Sequence, residues 1–312
     1  MRLPISPAAR ARRGAIPLFL LAAAGIALFG CHPGTEEAKR LTRVCQTGDV
    51  VACNALGQKL LKGEYILRDE GRAAGLFKQA CEGGVAEGCS QLGVLHQNGT
   101  GVRRDSALAL GLYRQGCEGG AMDGCMRLGL MYRDSVGVPK DLAHAAALFQ
   151  QACQGAQLTA CSHLGALYVA GGEGVAQDPA RAAALFQQAC DGKVVSGCIG
   201  VGRLYAAGTG VPKDEPRAVQ LFKQACDERS PAGCFELGDL YSLGTGVTQD
   251  FKRAADLYQY ACDRGHGKAC YSLGILYQNR TGVTGHPAQG AALIARACRL
   301  KYTEACPKPK ST

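Results

Sequence analysis

The chain has 312 residues, among them 43 glycines, 17 cysteines and no tryptophan, and a formal net charge of +9. So few aromatics among so many glycines speak against one large core and for short helices packed through small side chains. Four arginines lie in the first 30 residues and leave 31 basic against 26 acidic residues in the rest, a balance too mixed and too weak for a nucleic-acid partner.

Arg2, Arg10, Arg12 and Arg13 precede an apolar run, PLFLLAAAGIALFG, at residues 17–30. The run is short for a membrane-spanning helix, which needs about 20 residues. A basic segment, an apolar stretch and small residues before a cut make a secretory signal. Leu28-Phe29-Gly30-Cys31 resembles a bacterial lipobox, in which the cysteine becomes the lipidated N-terminus; Phe29 stands where that motif prefers a small residue. This resemblance implies a signal peptide over residues 1–30 and membrane attachment through lipid on Cys31. An ordinary secretory cut near the same place would leave the protein secreted. His32 replaces the Asp that often retains bacterial lipoproteins at the inner membrane, which implies the outer membrane and a periplasm-facing chain. Residues 31–44 are read as the lipidated cysteine, a tether (HPGTE, 32–36) and a lone capping helix from Glu36.

The other sixteen cysteines fall into eight pairs of one spacing: Cys45 and Cys53, Cys81 and Cys89, Cys117 and Cys125, Cys153 and Cys161, Cys190 and Cys198, Cys226 and Cys234, Cys262 and Cys270, Cys298 and Cys306. The pairs recur every 36 residues, and once after 37. A fixed period of this size marks a solenoid. Seven full units run from the second cysteine of one pair to the first of the next, within an array spanning 45–306. Each unit reads as two helices. Counted from its first cysteine at 100° per residue, Leu at +3, Gly at +4, mostly Leu at +6 and often Tyr at +7 share one arc. The +4 glycines are Gly57, Gly93, Gly129, Gly165, Gly202, Gly238 and Gly274. Glycine costs about 1 kcal/mol in a helix relative to alanine, so its repetition implies a neighbour too close for a β-carbon. Glycines such as Gly63, Gly99, Gly171, Gly208 and Gly244 end the first helix. Asp69, Asp105, Asp141, Asp178, Asp214 or Asp250 then caps the second. His286 takes that place in the last unit, whose second helix is expected to fray. The helices are marginal alone, so stacking must stabilise them.

A seven-residue connection between antiparallel helices can bring α-carbons near the roughly 5.5–6 Å that a disulfide needs, and exported chains sit where disulfides persist. Each pair is therefore expected to staple the second helix of one unit to the first helix of the next. Metal binding is the alternative reading. It lacks the C-x₂₋₄-C knuckles that zinc sites prefer, and no C-x-x-C-H haem attachment occurs. No cofactor is expected.

The units, written for instance LGALYVAGGEGVAQDPARAAALFQQAC, resemble the Sel-1-like repeat family, a relative of tetratricopeptide repeats, over residues 45–306. The C-x₇-C pairs further resemble its cysteine-rich, secreted Hcp-type subfamily, whose pairs form disulfides between helices. The resemblance implies an all-α fold, an α/α right-handed superhelical solenoid. It implies an adaptor that binds a protein or peptide in the cell envelope. Penicillin binding or β-lactamase activity, associated with some cysteine-rich members, is the alternative, with a β-lactam or peptidoglycan-like ligand.

Catalytic signatures do not emerge. No serine stands in Ser-x-x-Lys, there is no Lys-Thr-Gly, and the six histidines are scattered. On the first helices, positions +1, +2, +5, +8 and +9 vary between units and fall at about 80–200°, opposite the repeated arc. Solenoids stack such faces into a concave groove. The richest part is Phe235, Glu236, Asp239 and Leu243 on one helix, Tyr271 and Ile275 on the next and Arg203 on the one before, read as exposed aromatic anchors beside charges. Met126, Arg127, Leu130 and Arg133 offer an earlier basic and apolar counterpart. Residues 307–312 read as a tail.

Overall fold

The computed structural model describes residues 33–284 and 287–306. The expected signal peptide, Cys31, His32, His286 and the tail at 307–312 lie outside the described residues. The described chain forms two compact units, divided after Asp105. The first holds α1 (Pro33–Gln46), α2 (Val50–Lys62), α3 (Glu70–Glu82) and α4 (Ala86–Asn98). The second holds α5 (Ser106–Glu118), α6 (Met122–Asp134), α7 (Leu142–Gln154), α8 (Leu158–Ala170), α9 (Pro179–Asp191) and α10 (Val195–Ala207). It continues through α11 (Glu215–Asp227), α12 (Pro231–Leu243), α13 (Phe251–Asp263), α14 (Gly267–Asn279), α15 (Pro287–Arg299) and one 3₁₀ turn, Thr303–Ala305. Each unit is an all-α solenoid segment of stacked helical pairs. No described helix is long and apolar enough to cross a membrane.

The boundaries follow from local chemistry. Asp69, Asp141, Asp178, Asp214 and Asp250 each accept the backbone N–H three residues on, so each satisfies a donor that the helix start leaves over. Replacing Asp214 with alanine should therefore cost about 1 kcal/mol; urea unfolding that shows no loss would contradict this. First helices end on a left-handed residue, glycine at 63, 99, 208 and 244, but Ser135 and Arg280 in two repeats. The 37-residue spacing is absorbed after Gly171, where Gly172 and Val175 pair as an isolated bridge. α15 has the same 13 residues as its counterparts, so the expected fraying is not seen. The expected tether is also shorter: α1 begins at Pro33, with Gly34 and Thr35 buried. A β-carbon on Gly34 would come within 2.2 Å of the Tyr65 ring, which explains why a glycine stands inside that first turn.

The +4 glycine has a specific neighbour. A β-carbon at Gly202 would lie 2.7 Å from the ring of Phe222, the aromatic residue of the same repeat's second helix. Gly57, Gly129, Gly165 and Gly238 face Phe77, Phe149, Phe186 and Tyr258 in the same way. Each ring thus packs against bare helix backbone. Between repeats, the loop glycine Gly210, at φ +73°, packs on the first turn of α9, where a β-carbon would stand 2.4 Å from Pro179 backbone. The expected staples are present: all eight pairs are disulfides, with α-carbons 4.4–4.8 Å apart. The last, Cys298–Cys306, ties α15 to the 3₁₀ turn rather than to another helix.

A candidate binding face on the first helices of residues 106–302

Within the second unit, first helices of neighbouring repeats touch each other: α8 meets α10, and α10 meets α12. They form the inner side of that stack. The repeated arc of each first helix faces its own second helix, so positions +2, +5 and +9, at about 140–200°, point away from the core.

Position +1 does not belong to this open face. At about 100° it points sideways into the crevice toward the neighbouring repeat. Phe235 is only 2% exposed and Met126 only 7%. Phe235 packs among Tyr258, Ala269 and Leu273, and the His266 ring stacks on it at 4.7 Å. The expectation of exposed anchors at Phe235 and Met126 is therefore corrected: both are buried, and Phe235 packs against the next repeat. Ile199 and Ser162 fill the same slot and are buried too. Tyr271 is the exception. Its half-buried ring meets Tyr302, beside the 3₁₀ turn, at 5.4 Å.

The other expected residues lie on the open side. Arg203 on α10 reaches across to Glu236 on α12, its Nε donating at 2.9 Å. Arg127 pairs with Asp123 one turn back at 2.6 Å. Leu243 is 72% exposed, and Ile275 is half-buried. Asp239 is half-buried and accepts the Tyr258 hydroxyl at 2.5 Å. Burial raises its pKa above the ordinary carboxylate range, against the Tyr258 hydrogen bond, which lowers it. Burial, then the Asp239 charge, holds Tyr258 strongly protonated.

Two groupings go beyond the expected residues, among which Leu243 and Arg133 figure only singly. The first is an apolar strip at the C-terminal ends of three helices: Ala166, Val169 and Ala170 on α8, Ala206 and Ala207 on α10, and Leu243 on α12. All except the half-buried Ala206 are exposed. Alanines that vary in a polar position carry no signal by themselves. The second is a polar rim on the N-terminal side. Arg133 pairs with Asp134 at 2.7 Å and meets His163 on the next first helix at 3.4 Å. Burial, then Arg133, lowers the His163 pKa and keeps the ring neutral. Two polar clusters, each spanning neighbouring repeats, thus lie on the same helices as the strip or next to them.

Clefts of about 770 and 580 Å³ lie elsewhere, at the loop edge beside Tyr132 and Asp141 and beside Tyr205 and Asp214. They recur with the loops and follow from the stacking. Among the described residues no group of three or more His, Cys, Asp or Glu could hold a metal ion.

A stapled array of helical pairs with a fixed back and a varied open face defines a helical-repeat protein. The Sel1 repeat model matches seven times, at residues 50–85, 86–120, 123–156, 158–194, 195–230, 231–266 and 267–302, and the chain belongs to that family. Its eight disulfides make it a cysteine-rich member. Among solved structures, a Sel1 repeat protein from Oxalobacter formigenes is similar over 83% of this chain and 98% of its own, at 21% identity and a TM-score of 0.72. The protective antigen c5321 of uropathogenic Escherichia coli, which displays an SLR fold, is 24% identical over 86% of this chain, with a TM-score of 0.68. This chain spans 57% of that protein's length. Helicobacter pylori cysteine rich protein B is 27% identical over 42% of this chain and 93% of its own, with a TM-score of 0.33. Comparison with curated proteins gives no match. At such identities the first two likenesses are of fold.

Proposed function

We propose that this protein is a scaffold of the bacterial cell envelope that binds a protein or peptide along the open face of residues 106–302. The observation that carries the reading is the apolar strip from Val169 to Leu243, exposed on the inner side and bordered by the Arg133–His163 and Arg203–Glu236 clusters. Apolar contact area inside a polar rim is the anatomy of protein interfaces. Repeat proteins in general use stacked inner faces this way. Lipid on Cys31, after removal of residues 1–30, would hold the scaffold on a membrane, in our reading the outer membrane facing the periplasm. No observation on the fold or the face favours β-lactam hydrolysis.

The combined substitution Val169→Asp and Leu243→Asp tests the binding face. Both positions are exposed, so the melting temperature should stay within a few degrees. Recovery of the partner from envelope extract should fall about tenfold or more, while the exposed outer-face change Lys223→Ala leaves it unchanged. Equal recovery by all three proteins would contradict the proposal.

A further inference from the structure

We infer that Asp239, beside the Tyr271–Tyr302 ring pair on the open face, is the receptor for a lysine or arginine side chain of the bound polypeptide. The inference rests on the open face being the binding face. One Asp239 oxygen takes the Tyr258 hydroxyl; among the described residues the carboxylate makes no other hydrogen bond and no ion pair. The cations nearby, Arg203 and Lys268, act on it through space but make no salt bridge to it. Arg203 clamps Glu236, and the Lys268 ammonium lies 5.0 Å from the Phe235 ring centroid. His266 caps α14 through Nδ1 and is kept neutral by burial and by the neighbouring Lys268 and Arg203, against Glu236. Glu304 accepts the Tyr302 hydroxyl. Arg203 is thus taken by Glu236, and neither Arg203 nor Lys268 makes a salt bridge to Asp239.

The fold does not require the Asp239 charge. Tyr258 needs an acceptor, which an asparagine would supply equally, and a half-buried carboxylate that Lys268 and Arg203 reach only through space carries a desolvation cost that outweighs their pull and that its raised pKa records. A basic side chain laid along the Tyr271 and Tyr302 rings relieves that cost. Its aliphatic stem covers the rings and its cationic head reaches the open carboxylate oxygen. Leu243, one turn further along α12 and largely exposed, offers an apolar contact to the residues beside that cation. An anionic group would instead meet the Asp239 and Glu304 carboxylates.

Four nonapeptide libraries, random except for a central Lys, Arg, Ala or Glu, test the inference on oxidised wild-type protein and on Asp239→Asn. Wild type should retain the Lys and Arg libraries about fivefold over Glu, the upper end for a partly exposed ion pair. Asp239→Asn should level the four while melting no lower than wild type at pH 7. Libraries that bind wild type without a basic preference would overturn the anchor and leave the binding face standing. A basic preference that survives in Asp239→Asn would move the anchor elsewhere and overturn it as well. Retention of no library by wild type would overturn anchor and face together.

Discussion

Reducing the disulfides is expected to abolish the cooperative melting of the array. Each bond closes a loop of nine residues, and chain entropy assigns such a loop about 2.5 kcal/mol. Eight of them, even heavily discounted for non-additivity, rival the roughly 5–15 kcal/mol that holds an ordinary domain together. Alternative support is thin. The repeat helices have 13 residues and are marginal alone, and each repeat buries only a few leucines and one or two aromatic rings among its Ala, Gly and Cys. Removing one staple, by Cys190→Ala with Cys198→Ala, should lower stability by about 2–3 kcal/mol and loosen the joint between α9 and α10 first. Helical circular dichroism followed on heating with and without reductant checks the prediction. A reduced chain that melts within a few degrees of the oxidised one would refute it.

The second large effect lies where ring meets glycine. Phe222→Ala should cost about 3–5 kcal/mol, because the ring is 1% exposed and fills the space between its own helix and α10. Gly202→Val should cost about 3 kcal/mol, at the upper end of overpacking, since even a β-carbon there would lie 2.7 Å from that ring. The two changes concern the same volume. Together they should cost at least about 1 kcal/mol less than their sum, because valine occupies part of the space that the ring vacates. Denaturant unfolding of the four proteins measures the coupling, and simple additivity would contradict the contact.

Much of this fold is legible in the sequence because the chain repeats. Seven copies compare position with position, so the Asp caps, the glycines at +4 and the cysteine pairs stand out as backbone requirements. Periodicity could say that the +4 glycine faces something close, but not that the partner is the Phe222 ring of its own repeat. The binding face is less legible. A helical wheel separates inside from outside but not outside from sideways, so Phe235 and Met126, at a flank, read as surface when both are buried and Phe235 is a joint between repeats. Asp239 and Arg203 were readable as variable charges. The Tyr258 hydroxyl was not, because it arrives from the second helix over the bare backbone at Gly238. Its one trace in the sequence is a tyrosine where most repeats place phenylalanine. The strip of Ala166, Ala170 and Ala207 escaped because alanine on a helix is unremarked until neighbouring helices bring several together.

The most direct measurement places a photoreactive amino acid in the living cell, singly at Ala170, Ala207 and Leu243 on the open side and at Gln188 and Lys223 on the outer side. All five positions are exposed. The binding-face account predicts that the three open-side positions crosslink to one shared polypeptide and that the two outer positions do not. Crosslinks to that polypeptide from the outer positions alone, or from all five equally, would contradict it.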